Sequence, residues 1–322
     1  MSLKTAIFIL IAVLIVCSLA IYYTWQATQK IEIEKPSFPS WIEVVGAGDI
    51  LNLEIAPYEE PTSLYRKWRY LRDYLNEKLA EKAGLKVNLK IARDYRSAIN
   101  DVGLGVADLA ILPPVAYLEA RRDYCVQPLA TPLLKEGNRC LLVARKDRGI
   151  NTIADIRGKS FAYADEKSLC GSLIPHKWMR ENNIVYQTDL KTVKYFPHYN
   201  AVLEALTSGE FDVAGVKEAT FKELTPPDLK IVAISEPLPD LLLVGTFDIE
   251  KGLIEQIVKA LSEMDSETLK KLNPDYLGWQ TVTDENYDSL RTMVQEIHGL
   301  NYFLPTPDFC AIKPKCKLAP KK

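Results

Sequence analysis

Short β-rich runs alternate with longer stretches of helical periodicity along most of the chain. Residues 51–56 predict a first strand, and residues 63–82 predict a helix because their large apolar side chains recur every three or four positions. The later segments continue the alternation, with predicted strands at 86–91, 107–112, 160–164, 192–196, 212–216 and 230–234. Helices are predicted at 95–104, 199–207, 253–264 and 286–297, with one more that begins at 168 and another that ends at 224. This order indicates an α/β fold with mostly parallel sheets.

Two interruptions of the rhythm, near Lys146 and Ser235, suggest that one α/β unit is inserted into another. The expected result is two lobes joined by two crossing strands, with lobe 1 at 41–146 plus 236–300 and lobe 2 at 147–235. A ligand would lie between the lobes, at the carboxyl ends of the strands. Residues 126–130 and 140–145 are predicted to be neighbouring strands, the first at a sheet edge because it contains Pro128.

The N-terminal segment, residues 1–25, carries an apolar run from Ala6 to Ala20 that continues into Tyr22, Tyr23 and Trp25. It fits a cleaved signal peptide or a retained membrane anchor. Cys17 also suggests a lipoprotein, although Val16 just before it matches a lipobox poorly. All three place the rest of the chain outside the cytoplasm, on the periplasmic or extracellular face of the membrane. Residues 26–40 are interpreted as a linker and residues 301–322 as a C-terminal tail.

Charge and composition narrow the function. The 322 residues include 40 Lys and Arg and 42 Asp and Glu. The chain therefore lacks the excess of positive charge that nucleic-acid binding requires. A hydrophobic fraction of 48% is enough for a sizeable core without disulfides.

Five cysteines follow Cys17, an odd number for an exported chain, which suggests disulfide pairs and one free thiol. Cys310 and Cys316 flank a short loop and could pair, and Cys125 and Cys140 lie on or beside predicted neighbouring strands. That arrangement leaves Cys170 free.

Several motifs in order resemble the substrate-binding proteins of phosphate, phosphite and phosphonate ABC transporters, over about residues 51–264. They are Arg93-Asp94-Tyr95, Gly105-x-x-Asp108, Leu112-Pro113-Pro114-x-Ala116-Tyr117, Val143-x-x-Lys146-Asp147, Ile156-Arg157-Gly158-Lys159 with Phe161, Ser168-x-x-Gly171-x-x-x-Pro175, His198 with Ala201, and Gly209-x-x-Asp212-x-x-Gly215. The resemblance implies a two-lobed periplasmic binding protein of type 2 that binds a small oxyanion for an ABC permease. It implies neither catalysis nor a cofactor.

The candidate ligand site centres on the segment from Ser168 to Gly171, which follows a strand and opens a helix. Free backbone N–H groups and the helix dipole would converge there on an anion. The family has a Ser-Thr-Ser-Gly run at this position, whereas this chain has Leu169 and Cys170 in the middle and so lacks two hydroxyl donors.

The resemblance also assigns a ligand role to Tyr95 in the first lobe and to His198 in the second. Arg139 stands near a position where the family has a tyrosine, and could bind an oxyanion in bidentate fashion. Tyr58, beside Glu59 at the end of a strand, is a further candidate by position.

Two other functions remain open from the sequence. A membrane-anchored binding module could report to a sensor partner instead of a permease. Alternatively, a Cys170 thiolate at a helix start could act with His198 on a soft metal or a thiol-reactive ligand.

Overall fold

The computed structural model describes residues 50–299, except for the side chains of residues 80–83, and builds this stretch around two β-sheets. The first sheet has the order β11-β4-β10-β3-β1-β2 and contains β1 (Ile50–Ile55), β2 (Lys86–Ile91), β3 (Leu109–Leu112), β4 (Gln127–Leu134), β10 (Leu242–Gly245) and β11 (Tyr276–Thr281). The second has the order β7-β6-β8-β5-β9 and contains β5 (Cys140–Arg145), β6 (Ser160–Tyr163), β7 (Thr192–Tyr195), β8 (Val213–Lys217) and β9 (Leu229–Ile234). The predicted α/β class is confirmed, but the expectation of mostly parallel sheets is wrong, because four strand pairs are parallel and five are antiparallel.

Helices connect and cover the strands. Those of the first lobe, defined here as the first sheet with its helices, are α1 (Pro61–Ala83), α2 (Tyr95–Leu104), α3 (Pro114–Tyr124), α8 (Lys251–Ser262), α9 (Ser266–Leu272) and α10 (Asp288–His298). The second lobe has α4 (Ile174–Glu181), α5 (Tyr186–Asp189), α6 (Tyr199–Thr207) and α7 (Glu218–Leu224), and a π-helical turn, Leu169–Leu173, leads into α4.

Local signals explain why several predicted boundaries are correct. The Asp94 carboxylate accepts the Ser97 N–H at 2.7 Å and caps α2, and Gly105 ends that helix at φ 76°, a conformation that favours glycine. The predicted bounds 86–91, 95–104 and 199–207 are confirmed for β2, α2 and α6.

The predicted pairing of residues 126–130 with 140–145 is wrong. β4 pairs with β10 and β11 in the first sheet, whereas β5 pairs with β8 and β9 in the second. The chain crosses between the lobes at residues 135–139, so β5 lies in the second lobe instead of closing the first. The return crossing, at residues 235–241, runs beside it through the antiparallel bridge between Asn138 and Leu238.

Pro128 does not mark a sheet edge, because β4 lies inside the first sheet. Its neighbour β11 begins to pair only at Ala130, while Pro128 itself faces Val244 of β10. Pro128 pairs next to a shift of register between Leu243 and Val244, an irregularity of the kind at which a sheet tolerates proline.

The predicted N-terminal segment, linker and C-terminal tail, with Cys17, Cys310 and Cys316, lie outside the described residues. Within residues 50–299, no helix has the length and apolar character needed to cross a membrane.

Candidate functional site

A small cavity lies between the lobes, where the carboxyl ends of β1, β3, β6 and β8 face each other across the two crossing segments. Its volume is about 20 Å³, close to the space of one water molecule. The lining residues come from both lobes and both crossings: Tyr58, Pro113, Pro114, Asn138, Leu169, Cys170, Tyr199, Lys217, Asp240 and Leu241.

The turn at residues 168–171, called the cradle below, forms one wall of this cavity. Ser168 is fully buried, and its Oγ accepts the Gly171 N–H at 3.1 Å, which fixes the start of the π-helical turn. Gly171 packs so closely that a Cβ there would lie 2.2 Å from the Cβ of Ala164. Ser168 therefore caps the start of the helical turn as expected, but the Gly171 N–H is already bonded to the Ser168 hydroxyl and is not free, contrary to the expectation.

Two buried tyrosines reach Ser168 from opposite lobes. The Tyr199 hydroxyl lies 2.8 Å from Ser168 Oγ, and the Tyr95 hydroxyl also interacts with that serine. Burial raises the pKa of both phenols, and the Ser168 hydroxyl opposes the rise. Both tyrosines are thus neutral hydrogen-bonding groups near neutral pH.

An ion pair crosses the cavity. Lys217, the last residue of β8, places its Nζ 2.5 Å from Oδ1 of Asp240, which precedes β10. The two side chains are only 10% and 6% exposed, and Oδ2 of Asp240 lacks a hydrogen-bond partner. Such a pair is stable only while both charges stay together, because desolvation of either alone is costly.

Further contacts hold the lobes together around this pair. The Tyr199 N–H donates to the Tyr58 carbonyl at 3.3 Å, and the Glu60 N–H donates to Asn200 Oδ1 at 3.2 Å. Lys67 of α1 bridges Glu59 and Glu223, each at 2.8 Å. The arrangement is a closed one, in which the two lobes contact each other around the cavity.

A larger cavity of about 550 Å³ adjoins the small one and shares Tyr58, Lys217 and Leu241 with it. Five lysines and three carboxylates line it: Lys67, Lys217, Lys222, Lys270 and Lys271 against Glu59, Glu223 and Asp275. Four of the five lysines are ion-paired, Lys67 with Glu59 and Glu223, Lys217 with Asp240, Lys222 with Glu218 and Lys271 with Glu267, so the cavity wall carries balanced charge.

Cys170 is not a free thiol: it forms a disulfide with Cys140, the first residue of β5. The pairing expected between Cys125 and Cys140 is wrong because the strands on which it depended lie in different lobes, and Cys125 is itself disulfide-bonded. The thiolate that the soft-metal and thiol-reactive hypotheses require is therefore absent. Among residues 50–299, no cluster of three or more His, Cys, Asp or Glu side chains is placed to hold a metal ion.

Removing this disulfide with the double substitution Cys140→Ala and Cys170→Ala should lower the free energy of unfolding by about 3 kcal/mol. The bond closes a loop with a sequence separation of 30, so its loss restores chain entropy to the unfolded state. Urea denaturation of the double variant and the wild type measures the effect. A loss below about 1 kcal/mol would show that the bond contributes little to the fold.

The cradle residues Ser168, Leu169, Cys170 and Gly171 and the candidate Tyr95 do come together, as predicted from sequence. Leu169 and Cys170 line the small cavity, as does Tyr58, whose hydroxyl accepts the Trp68 indole N–H at 2.9 Å.

Arg139 and His198 lie outside the lining of the small cavity. Arg139 borders a neighbouring cavity of about 140 Å³, beside Glu136 and Lys222. His198 caps α6, with its Nδ1 accepting the Ala201 N–H at 3.2 Å, and burial lowers its pKa. The capping nitrogen must be unprotonated, so the histidine is neutral in this role.

Sequence reasoning missed four lining residues with polar side chains: Asn138, Tyr199, Lys217 and Asp240. Lys217 carried a usable signal, since a charged residue at the carboxyl end of an apolar strand tends to face a ligand cleft. Asp240 and Asn138 belong to the crossing segments, and their positions depend on the long-range bridge between those segments.

The sequence of the chain is similar to those of known substrate-binding proteins. Residues 53–287 match the family model described as the periplasmic substrate-binding protein of phosphonate ABC transporters. The phosphonates-binding periplasmic protein of Escherichia coli K12 is 24% identical over 243 residues, covering 71% of this chain and 70% of that protein. The phosphate-import protein PhnD of Mycolicibacterium smegmatis is 28% identical over 264 residues, covering 80% and 75%.

Solved structures show the same fold. PhnD1 of Prochlorococcus marinus, determined in complex with methylphosphonate, superposes with a TM-score of 0.71 at 14% identity. The match covers 78% of this chain and 99% of that one. The two-lobed architecture of type 2 periplasmic binding proteins is therefore confirmed.

Proposed function

The chain belongs to the family of periplasmic substrate-binding proteins of phosphonate ABC transporters, and we propose that it captures a small oxyanion between its two lobes. The observation that carries the proposal is the placement of the cradle and of Lys217 on the same small cavity. Backbone N–H groups at a helix start and a buried ammonium are complementary to an oxyanion. The larger cavity beside them, with its ion-paired lysines, would give an anion a polar path to the cradle.

Capture requires the lobes to separate, because a cavity of about 20 Å³ cannot admit even methylphosphonate. The crossings at residues 135–139 and 235–241 would serve as the hinge. In the open form an anion would reach the cradle, and closure would then bring the first-lobe residues Tyr58 and Tyr95 against it. Ligand binding would shift the population toward the closed form.

Membership of this family implies that the protein acts on the extracytoplasmic side of the membrane. It also implies that the partner is an ABC transporter. We assign the closed form to delivery at the permease, since closure presents one surface made of both lobes. We infer that the protein binds and releases the ligand without converting it chemically. Anchoring by residues 1–25 and cleavage of that segment both remain compatible with this role.

A thermal-shift screen of the full chain tests the proposal. Phosphate, phosphite or methylphosphonate should raise the melting temperature in proportion to the logarithm of ligand concentration, because ligand binds the native state. The shift should shrink in Ser168→Ala, which loses the hydroxyl bonded to Tyr199 and to the Gly171 N–H. It should persist in Ser172→Ala, a serine buried in the same turn whose side chain instead contacts Tyr195. Silence toward every oxyanion would overturn the transport role and favour the anchored sensory module.

A further inference from the structure

A hydrogen-bonding position in the cradle is already filled by a side chain of the protein itself. The Tyr199 hydroxyl lies 2.8 Å from Ser168 Oγ, and the Cys170 backbone N–H interacts with the same phenol oxygen. These are a cradle hydroxyl and a cradle N–H, the two kinds of donor that an oxyanion would use. Tyr199 is only 5% exposed and lines the small cavity, so its oxygen stands where a ligand oxygen would be bound.

The rest of Tyr199 is held firmly in this position. It is the first residue of α6, directly after the capping residue His198, and its own N–H donates to the Tyr58 carbonyl across the lobes. Because α6 and the cradle belong to the same lobe, separating the lobes breaks the contact with Tyr58 but leaves Tyr199 beside Ser168. Opening alone therefore does not free the cradle.

We propose that Tyr199 is a specificity-determining residue that occupies the cradle as an internal substitute for an anion oxygen and that every oxyanion must displace. This inference rests on the proposed oxyanion-binding function. Displacement costs the hydrogen bonds of the phenol, so ligands that form only a few contacts bind weakly. Ligands with several strong acceptor oxygens, such as phosphonates and phosphate, recover the lost bonds best.

The test compares Tyr199→Phe with the wild type by calorimetric titration with methylphosphonate. Loss of the competing phenol oxygen should tighten binding about fivefold to tenfold, the range expected for one net hydrogen bond. Tyr117→Phe is the matched control, because it removes another buried phenol hydrogen bond, 2.6 Å from Asp284, away from the cavity lining. It should leave the affinity unchanged.

The outcomes separate this inference from the proposed function. Equal or weaker binding by Tyr199→Phe, with the wild type still binding, would overturn the role of Tyr199 and leave capture intact. Binding by Tyr199→Phe alone would support the role of Tyr199, whereas the silence of the wild type would overturn the transport role. If neither protein binds methylphosphonate or phosphate, both proposals fail.

A second measurement covers a Tyr199→Phe protein that does not fold. In wild-type protein labelled with ¹³C at the tyrosine ring, saturating methylphosphonate should shift the Tyr199 ring resonance as the phenol leaves Ser168. A ring resonance that stays in place while the anion saturates its site would overturn the inference.

Discussion

Replacing Lys217 with Met should lower the free energy of unfolding by about 3 kcal/mol, because the substitution strands the buried Asp240 carboxylate. Among residues 50–299, Lys217 is the one ion-pair partner of Asp240, at 2.5 Å, and the second carboxylate oxygen is buried without a hydrogen bond. Methionine preserves most of the side-chain length, so the effect comes from the missing charge and not from a cavity. Urea denaturation measures the loss.

Two further variants identify the source of the stability loss in Lys217→Met. Adding Asp240→Leu to Lys217→Met should restore most of the stability, since a well-packed apolar pair can replace a buried ion pair at little cost. Lys251→Met, which removes one partner of the exposed pair with Glu255, should change stability by less than about 0.5 kcal/mol.

Lys217→Met also tests whether the two lobes stay closed, because the Asp240 carboxylate can regain water if the lobes separate. Solution X-ray scattering of Lys217→Met should therefore show a larger radius of gyration than the wild type. A stability loss below about 1 kcal/mol with unchanged scattering would mean that water already reaches the pair in solution, contrary to the closed arrangement.

Gly171→Ala should destabilise the protein by about 3 kcal/mol and abolish the oxyanion response. The added Cβ would lie 2.2 Å from the Cβ of Ala164 and 3.0 Å from Ser168 Oγ. Neither neighbour is the flexible end of a long side chain, so the turn itself must move and the cradle N–H groups lose their alignment. Thermal denaturation with and without methylphosphonate measures both effects.

Gly252→Ala provides the matched control. Gly252 lies in α8, and the nearest atom to its added Cβ is a Glu250 carboxylate oxygen at 3.5 Å. Its stability should stay within about 1 kcal/mol of the wild type, with any gain due to higher helix propensity. A Gly171→Ala protein as stable and as responsive as this control would refute the close packing of the cradle.

Much of the fold could be predicted from the sequence because local signals agree with the tertiary structure. α2 and α6 are bounded by capping side chains, and β2 alternates buried and exposed positions along most of its length. β10 was missed because its four residues are all buried and carry no alternation, and β11 was missed in a stretch assigned to helices. Both depend on pairing with β4, which is distant in sequence.

The errors in the disulfide pairing and in the boundary between the lobes have one common cause, the position of the first crossing. Consecutive strands usually pair, and that tendency suggested that β4 and β5 are neighbours. The chain instead leaves the first sheet after Leu134 and enters the second at Cys140, which brings Cys140 to Cys170. Sequence spacing contains no signal for such a crossing, so the disulfide and the Lys217–Asp240 pair emerge only from the structure.

Backbone amide NMR of the full chain, titrated with methylphosphonate, tests most directly whether an oxyanion binds at the cradle between the lobes. If the oxyanion binds there, we expect saturable chemical-shift changes that are largest for the N–H groups of Leu169, Cys170 and Gly171. Shifts confined to the lysine-lined cavity around Lys270 and Lys271, or no shifts at saturating anion, would contradict it.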